Sequence, residues 1–247
     1  MKTMTISKDE FIKLCENCFK TNHLEQFCTE STLFLLYQMT DHMLKVNAVT
    51  NLTAITEPHE IALKHLADSL TVARFLPESA QVLDVGCGGG FPSLPLAIAR
   101  PDLKITALDS TAKKTAYVAE SARLLSLGNL KTLTGRAEEL AQDPEYRENF
   151  DCTVARAVAS LPILNELCLP FVKIGGKMVA MKAKLDESET TKAPSTLGAS
   201  PFERHELMLR SPDTDQTETR LILVADKQKH TPSEYPRAYA QIKKKPL

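Results

Sequence analysis

The sequence has few glycines, no long apolar run and almost no net charge. Glycine accounts for nine of the 247 residues, so any place where glycines cluster is informative. No window approaches the ~18 consecutive apolar residues of a membrane-spanning helix, although hydrophobic residues make up 43% of the chain. The formal net charge of −1 excludes a global field that attracts nucleic acid. These absences favour a cytoplasmic protein with a buried core and no membrane partner.

A local excess of positive charge lies near the carboxyl end. Between residues 226 and 247, two acidic residues stand against the cations Lys227, Lys229, Arg237, Lys243, Lys244 and Lys245. A basic segment on a nearly neutral protein suits a contact with phosphate groups. A solvated tail that improves solubility explains the same charges, and composition alone leaves both alternatives open.

Three of the six cysteines lie near the amino end, and they have two interpretations. The spacing of a CCHC zinc knuckle, a module that binds single-stranded RNA, is present at Cys15, Cys18, His23 and Cys28. A knuckle requires tight turns, however, and this stretch contains no glycine. Apolar residues between Phe11 and Cys18 recur every three or four positions, which favours an amphipathic helix over a metal site.

The order of predicted elements indicates an α/β architecture. Residues 8–46 and 57–75 are predicted to be helical, with a polar break beginning at Asn47. From Gln81 onwards, short apolar strands alternate with helices, which predicts a mostly parallel sheet with helices on both faces. Residues 202–209 and 220–225 are predicted to form an antiparallel pair that closes the sheet. We therefore predict a helical region over residues 1–77 and a ligand-binding domain over residues 78–247.

The most informative segment follows the first predicted strand and contains four of the nine glycines. Ligands in such sheets bind beyond the carboxyl ends of the strands, where glycines let the backbone approach them closely. The dinucleotide fingerprint G-x-G-x-x-G fails here, because its last position falls on Phe91 or Ser93. What remains is the pattern Gly86-x-Gly88-x-Gly90, which is typical of class I methyltransferases and predicts S-adenosylmethionine as cofactor.

Acidic and basic residues stand at the ends of the predicted strands. Asp84 is placed to accept a hydrogen bond from the glycine loop or from the cationic methionine end of the cofactor. Asp109 is placed to accept ribose hydroxyls, although an aspartate there also fits NAD or a helix cap. Glu138 or its neighbouring backbone is expected beside the adenine. Arg156 is a candidate for the cofactor carboxylate, an RNA phosphate or a structural ion pair.

Several stretches together resemble the RsmG (GidB) family of 16S ribosomal RNA guanine-N7 methyltransferases. They occur in the family's order, at residues 51–55, 65–70, 83–92, 108–114, 135–139, 156–161, 235–237 and 244–247. The resemblance implies a class I, Rossmann-like fold with a mostly parallel seven-stranded sheet, an antiparallel last strand and a small helical N-terminal region. It also implies that the cofactor contacts fall on Gly86, Phe91, Ala137, Glu138 and Arg156.

The resemblance further implies methyl transfer to N7 of a guanine in 16S ribosomal RNA or the small ribosomal subunit. We expect a monomer, although the sequence does not determine the oligomeric state. N7 carries a lone pair and no proton, so no general base is expected and no catalytic residue is certain. Arg156 and Arg136 are the candidates nearest the transferred methyl group. His65 and Asp68 either line the site or form a packing pair. The candidate phosphate contacts are Lys182, Arg237, Lys243, Lys244 and Lys245.

Three rival functions remain at this stage. An NAD-dependent oxidoreductase shares the sheet, the glycines and Asp109. A non-enzymatic RNA-binding module would use the cysteines near the amino end. A methyltransferase acting on another RNA or on a small molecule would use the same fold, because a fold alone does not fix the substrate.

Overall fold

The computed structural model describes residues 4–183, 193–215 and 217–247. Within them, seven strands form one sheet in the order β3-β2-β1-β4-β5-β7-β6. The strands are β1 (Gln81–Val85), β2 (Lys104–Asp109), β3 (Leu130–Thr134), β4 (Phe150–Arg156), β5 (Val172–Lys182), β6 (Glu203–Arg210) and β7 (Thr217–Asp226). The first five are parallel, and β7 runs antiparallel to both β5 and β6. The predicted mostly parallel sheet with an antiparallel last strand is confirmed.

Helices cover both faces of this sheet. They are α1 (Lys8–Thr21), α2 (Glu30–Thr50), α3 (Pro58–Glu60), α4 (Asp68–Leu70), α5 (Ser93–Ala99), α6 (Ala112–Leu124), α7 (Ala137–Leu140), α8 (Leu161–Cys168), α9 (Ala193–Thr196) and α10 (Tyr239–Lys244). Because strand side chains alternate between faces, Val82 and Leu83 belong to two different apolar cores. The first core includes side chains of α1, α2, α5 and α6, and the second includes side chains of α8 and α10. Among the described residues, no helix combines the length and apolarity needed to cross a bilayer.

The helical N-terminal region packs directly on the first face of the sheet. Phe11 and Leu36 share one core with Val82 and Ile105. The boundary at residue 77 therefore separates two parts of the chain that share an apolar core, and the division into two domains stays a prediction.

The amphipathic helix predicted around the first two cysteines is confirmed. It is α1, which begins with a capping box between Ser7 and Glu10. Cys15 and Cys18 are fully buried on its inner face, and burial raises the pKa of the Cys18 thiol to about 12. Both thiols pack among the apolar side chains of the first core, which favours the helix interpretation over a metal site. Within the described residues, no group of three His, Cys, Asp or Glu side chains is placed to hold a metal ion.

The polar break predicted to begin at Asn47 is wrong, because α2 continues to Thr50. The side chain of Asn47 is buried and bonds to the backbone of Thr53, accepting from its N–H and donating to its carbonyl at 2.9 Å each. A polar residue that caps a loop in this way leaves the helix intact. The helix ends at Asn51, which adopts the left-handed conformation with φ of 49°. The loop that follows is thereby fixed against the end of α2.

The helix predicted over residues 57–75 is continuous but irregular. Between the single turns α3 and α4, residues Ile61–Ala67 form a π-helical segment, and Thr71–Phe75 is a 3-10 turn. π-Helical turns are rare and occur frequently at functional sites. Here the carbonyl of Lys64, inside the π-helical segment, accepts a hydrogen bond of 2.9 Å from Nη1 of Arg156. This irregular helix is therefore tied to the end of β4.

Candidate active site

A cavity of about 490 Å³ lies at the carboxyl ends of β1, β2, β3 and β4. We call it the donor cavity. It is bounded by the glycine loop after β1, the loop beginning at Leu52, and the start of α10. The predicted site residues among its lining are His65, Gly86, Gly88, Phe91, Asp109, Arg136, Ala137, Glu138 and Arg156. Asp84 and Gly90, which were also predicted to contact the cofactor, do not line it.

Three glycines of the loop, Gly86, Gly88 and Gly89, line the cavity, and the first two have backbone conformations that side chains rarely adopt. Gly86 and Gly88 have φ values of +77° and +55°. A Cβ added at Gly88 would meet no other heavy atom closer than 3.9 Å, so it would extend into open space. Gly90 differs, because a Cβ there would lie 2.5 Å from the side chain of Leu94. Gly90 therefore permits close packing of the loop on α5. This packing role is consistent with its absence from the cavity lining.

Asp84, near the end of β1, binds the first residue of α5. Its Oδ2 accepts hydrogen bonds from the backbone N–H of Ser93, at 3.2 Å, and from the hydroxyl of the same residue. Its Oδ1 is buried and has no hydrogen-bond partner among the described residues. Burial raises the pKa of Asp84 to about 6. The donors to Asp84 thus come from the first residue of α5 and not from the glycine loop, and one carboxylate oxygen remains without a donor among the described residues.

Asp109, at the end of β2, connects the glycine loop to the start of α6. Its Oδ2 accepts from the N–H of Gly88 at 3.0 Å, and its Oδ1 accepts from the N–H of Thr111 at 2.8 Å. Lys114 lies 3.8 Å from the same carboxylate. Each carboxylate oxygen has two acceptor lone pairs, so these bonds leave Asp109 able to accept from hydroxyl groups of a ligand. The helix-start and ligand roles predicted for this residue are compatible.

Arg136 and Glu138 form the edge of the cavity after β3. Arg136 is the N-cap residue of α7, and its Nη1 lies 3.4 Å from Oε1 of Glu138. The Arg136 side chain is 57% exposed, whereas that of Glu138 is 9% exposed. An ion pair with one exposed member contributes little to stability, so Arg136 is able to leave it for another anion.

Arg156 is bound on several sides by protein groups. Its Nη1 donates to the Lys64 carbonyl and to Oδ2 of Asp68, both at 2.9 Å. Its Nη2 lies 3.4 Å from Nδ1 of His65, and its guanidinium carbon lies 5.2 Å from the Phe91 ring centre. The arginine is largely buried, with 16% of its side chain exposed. These contacts favour the structural ion pair among its predicted roles, in a position that still lines the cavity.

His65 is held between the N-terminal loop and the site. Its ring stacks on Phe91 with centroids 4.2 Å apart, and its Nε2 lies 2.8 Å from the Thr53 hydroxyl. Since arginine has no acceptor, Nδ1 of His65 accepts from Arg156, which places the ring proton on Nε2. Burial, reinforced by the Arg156 guanidinium, lowers the pKa of His65 to about 3. His65 is thus neutral and positions Phe91 and Arg156.

We expect the ring resonances of His65 to stay unchanged between about pH 8 and about pH 5, the range in which an unperturbed histidine titrates. The unfolded chain protonates this ring at its ordinary pKa, near ~6.5, and the folded chain does not. Protonation therefore favours unfolding, and the stability that the neutral ring confers is lost as the pH falls from about 6.5 towards 3. NMR titration checks this, with His65→Asn identifying the resonance. A midpoint near neutrality would contradict the assignment.

The predicted phosphate contacts have different environments. Arg237 is bound to the fully buried carboxylate of Glu166, with its Nε 2.8 Å and its Nη2 2.6 Å from the two oxygens. This pairing argues against Arg237 as a phosphate contact. Lys243, Lys244 and Lys245 are exposed, the first two on α10 and the third immediately after it. Lys182 lines a neighbouring cavity with Asp68.

Thr53 and Tyr239 are among the residues lining the donor cavity that were not predicted from the sequence. Thr53 lies on the loop after α2, and its hydroxyl bonds His65. Tyr239 begins α10 and brings the carboxyl end of the chain to the site. The aromatic ring in a basic tail was a usable signal for Tyr239. Nothing local identified Thr53, whose position depends on the folding of α2 against the π-helical segment.

Comparison with known families shows to which family the chain belongs. Residues 33–211 match the sequence profile of GidB, described as rRNA small subunit methyltransferase G. This chain belongs to the GidB family. The match confirms the resemblance inferred from the sequence. It includes the glycine loop, Asp109 and Arg156, and it ends before Arg220 and Tyr239.

Relatives in the GidB family align along most of the chain. The ribosomal RNA small subunit methyltransferase G of Leuconostoc mesenteroides is 43% identical over 212 residues, covering 83% of this chain and 87% of the relative. The protein of the same name from Streptococcus pyogenes is 38% identical over 249 residues, covering 98% and 97%. Membership of this family favours methyl transfer over the rival oxidoreductase.

Solved structures outside the GidB family share the fold. TYW2 of M. jannaschii in complex with AdoMet has a TM-score of 0.50 and 14% identity, covering 65% of this chain and 74% of that one. The 4+2 cyclase SpnF has a TM-score of 0.53 and 18% identity, covering 66% and 82%. Since a cyclase and an AdoMet-binding protein share this fold, the fold alone does not fix the reaction.

Proposed function

We propose that this protein transfers the methyl group of S-adenosylmethionine to N7 of a guanine in 16S ribosomal RNA. One observation carries the proposal: in a chain of the GidB family, a cavity lined by the glycine loop and by Asp109 lies at the carboxyl ends of the parallel strands. A nucleoside-containing donor is the ligand class that such strand ends bind.

The residues of the donor cavity fit S-adenosylmethionine. The bare backbone of Gly88 permits close approach, and the Asp109 carboxylate is placed to accept ribose hydroxyls. The orphaned Oδ1 of Asp84 is an acceptor, but Asp84 is fully buried and does not line the cavity, so we propose that it acts on the cationic methionine end only through a water molecule. Glu138, held near the cavity edge, is placed to accept from the adenine amino group. Together these groups account for the ribose, the charged end and the base.

When bound, the donor supplies a methyl carbon that forms a bond to N7 as its bond to sulfur breaks, with the bonding pair left on sulfur. No proton moves in that step, so the chain needs no general base, and neutral His65 with both nitrogens engaged is consistent with this. What remains for the protein is alignment of the reactants, which supplies about 7–11 kcal/mol when the geometry is correct. Phe91 and Arg156, both fixed by His65, are the residues we propose for that alignment.

Contact with the RNA backbone is proposed for the exposed cations near the donor cavity. Arg136 and Lys114 line the cavity, and Lys243 and Lys244 lie on α10, whose first residue lines it too. Single solvated lysines contribute little, so these residues are expected to act as a set. A salt-dependent affinity for small subunits is the expected signature.

Calorimetric titration with S-adenosylmethionine, followed by incubation with labelled donor and ribosomal subunits, tests the proposal. We expect one bound donor per chain, no binding of NAD, and label in RNA of unmodified small subunits. Large subunits serve as the matched control and should stay unlabelled. Label only in another RNA or in a small molecule, with donor binding intact, would assign a different acceptor. NAD binding without donor binding would overturn the proposal.

A further inference from the structure

A second cavity, of about 580 Å³, adjoins the donor cavity. The two share His65, Arg156, Ala157 and Ala159. We infer that this second cavity, called here the acceptor chamber, receives the target guanine after it has left its RNA stack, and selects it by its 6-oxo group. The inference rests on the proposed function and adds to it a place and a recognition device for the base. A base must leave its stack before an enzyme can act on it in this way.

The walls of the acceptor chamber suit the faces of a flat base. Ile55, Leu164 and Met181 contribute apolar surface from three separate parts of the chain, the N-terminal loop, α8 and β5. Leu164 and Met181 are almost fully buried, so their positions are set by the two cores behind them. A site lined mainly by apolar groups with a few placed polar groups is the usual form for a small planar ligand.

The polar side of the chamber is an arginine–aspartate–arginine cluster. Oδ2 of Asp68 accepts from Nη1 of Arg156, and Oδ1 accepts from Nε of Arg220, each at 2.9 Å. The three side chains are 5%, 16% and 12% exposed for Asp68, Arg156 and Arg220. Glu218 also pairs with Arg220, so the two guanidinium groups are matched by two carboxylates. Asp68 thus acts through the two arginines that it positions. It lines the chamber and also packs the irregular helix against the sheet, which are the two roles predicted for it.

Arg220 has donor capacity left after these contacts. Its Nε serves Asp68, and its Nη1 serves Glu218 and the Thr219 carbonyl. Among the described residues, its Nη2 has no hydrogen-bond partner, so two N–H groups remain in a residue that lines the chamber. A buried, fixed guanidinium with unused donors suits a ligand that presents an acceptor oxygen.

Guanine is the purine whose reacting edge meets this requirement. That edge presents the acceptors O6 and N7, whereas adenine presents an amino donor in place of O6. A donor from Arg220 on O6 stabilises guanine and leaves the N7 lone pair available for the methyl group. The same donor would oppose the amino group of adenine. The residues shared with the donor cavity place the base beside the bound donor, as transfer requires.

Filling the chamber tests its location. Ala183 is exposed and lines the acceptor chamber but not the donor cavity, so Ala183→Trp should block the base without disturbing the core. We expect kcat/KM for small subunits to fall by about 100-fold or more, with donor affinity unchanged within about two-fold. Ala119→Trp, at an exposed position of α6 that lines neither cavity, is the matched control and should retain activity.

Base analogues test the recognition by the 6-oxo group. Small subunits are assembled from ligated 16S RNA that carries inosine or 2-aminopurine at the methylated position. Inosine keeps O6 and N7, and should react within about ten-fold of guanine, whereas 2-aminopurine keeps N7 without O6 and should react at least about 1,000-fold more slowly. Comparable rates for the two analogues would overturn the selection by O6.

The outcomes separate this inference from the proposed function. If the wild-type protein methylates guanine and Ala183→Trp is as active as Ala119→Trp, the acceptor chamber is wrong and the proposed function stands. If the wild-type protein binds the donor but labels no small subunit, the proposed function fails and the chamber fails with it. Loss of donor binding in Ala183→Trp would also overturn the inference, because it would place that residue in the donor site.

Discussion

A valine at Gly88 is expected to abolish binding of S-adenosylmethionine. The backbone N–H of Gly88 donates to Asp109, and an added Cβ would point into open space at a position that lines the donor cavity. A β-branched side chain there would occupy the volume the ligand needs. We expect affinity to fall by about 1,000-fold or more, equal to roughly 4 kcal/mol. Calorimetric titration of Gly88→Val measures this.

The matched control for Gly88→Val is Gly175→Val. Gly175 also has a positive φ, of +85°, and a Cβ there would meet nothing within 4 Å, but it lies in β5 and does not line the donor cavity. Both variants carry backbone strain on the order of 1–3 kcal/mol. If strain were the cause of lost binding, both would lose it. Donor affinity near that of the wild type in Gly88→Val would contradict the placement of the cofactor.

Replacement of Arg156 by methionine is expected to lower both stability and methylation. The change leaves Oδ2 of Asp68 and the carbonyl of Lys64 without their 2.9 Å donor, in a largely buried setting. Removing one member of a buried ion pair costs about 3 kcal/mol or more, which lowers Tm by roughly 10 °C in a protein of this size. Since Arg156 lines both cavities, we expect methylation by the folded variant to fall about 1,000-fold. Calorimetry and methylation kinetics check the two effects.

Arg100→Met separates instability from loss of alignment. Arg100 is similarly buried, with 18% of its side chain exposed, and bonds Asp102 and the carbonyl of Ala73. It lines neither cavity, so this variant should lose stability while keeping methylation. In a double-mutant cycle, the losses of stability caused by Asp68→Asn and by Arg156→Met should be less than additive, because the two residues share one contact. Equal losses of methylation in Arg100→Met and Arg156→Met would contradict an aligning role for Arg156.

The location of the donor cavity could be predicted from the sequence because parallel strands bring their carboxyl ends to one edge. Once the alternation of strands and helices was recognised, Gly88, Asp109 and Arg156 necessarily came together. Which glycine of the loop contacts the ligand and which one permits close packing could not be predicted. Gly88 and Gly90 occupy equivalent places in the pattern, and only the direction of a Cβ separates a ligand contact from a packing contact.

The residues that were missed, or whose partners were not foreseen, have contacts far away in the chain. Arg237 was predicted to bind phosphate, but Glu166, 71 residues earlier, takes its guanidinium. Arg220 reaches Asp68 across 152 residues because β7 inserts between β5 and β6. Pairings of this kind depend on the order of strands in the sheet and on which face a side chain occupies. Local spacing carries neither kind of information.

Mapping the methylated nucleotide in the RNA tests the central claim most directly. Unmodified small subunits are incubated with the protein and labelled S-adenosylmethionine, and the 16S RNA is then digested and its nucleosides separated. We expect label in 7-methylguanosine, at a single position of the RNA, and none with Gly88→Val. Label in a different methylated nucleoside, or no label from a protein that binds the donor, would contradict it.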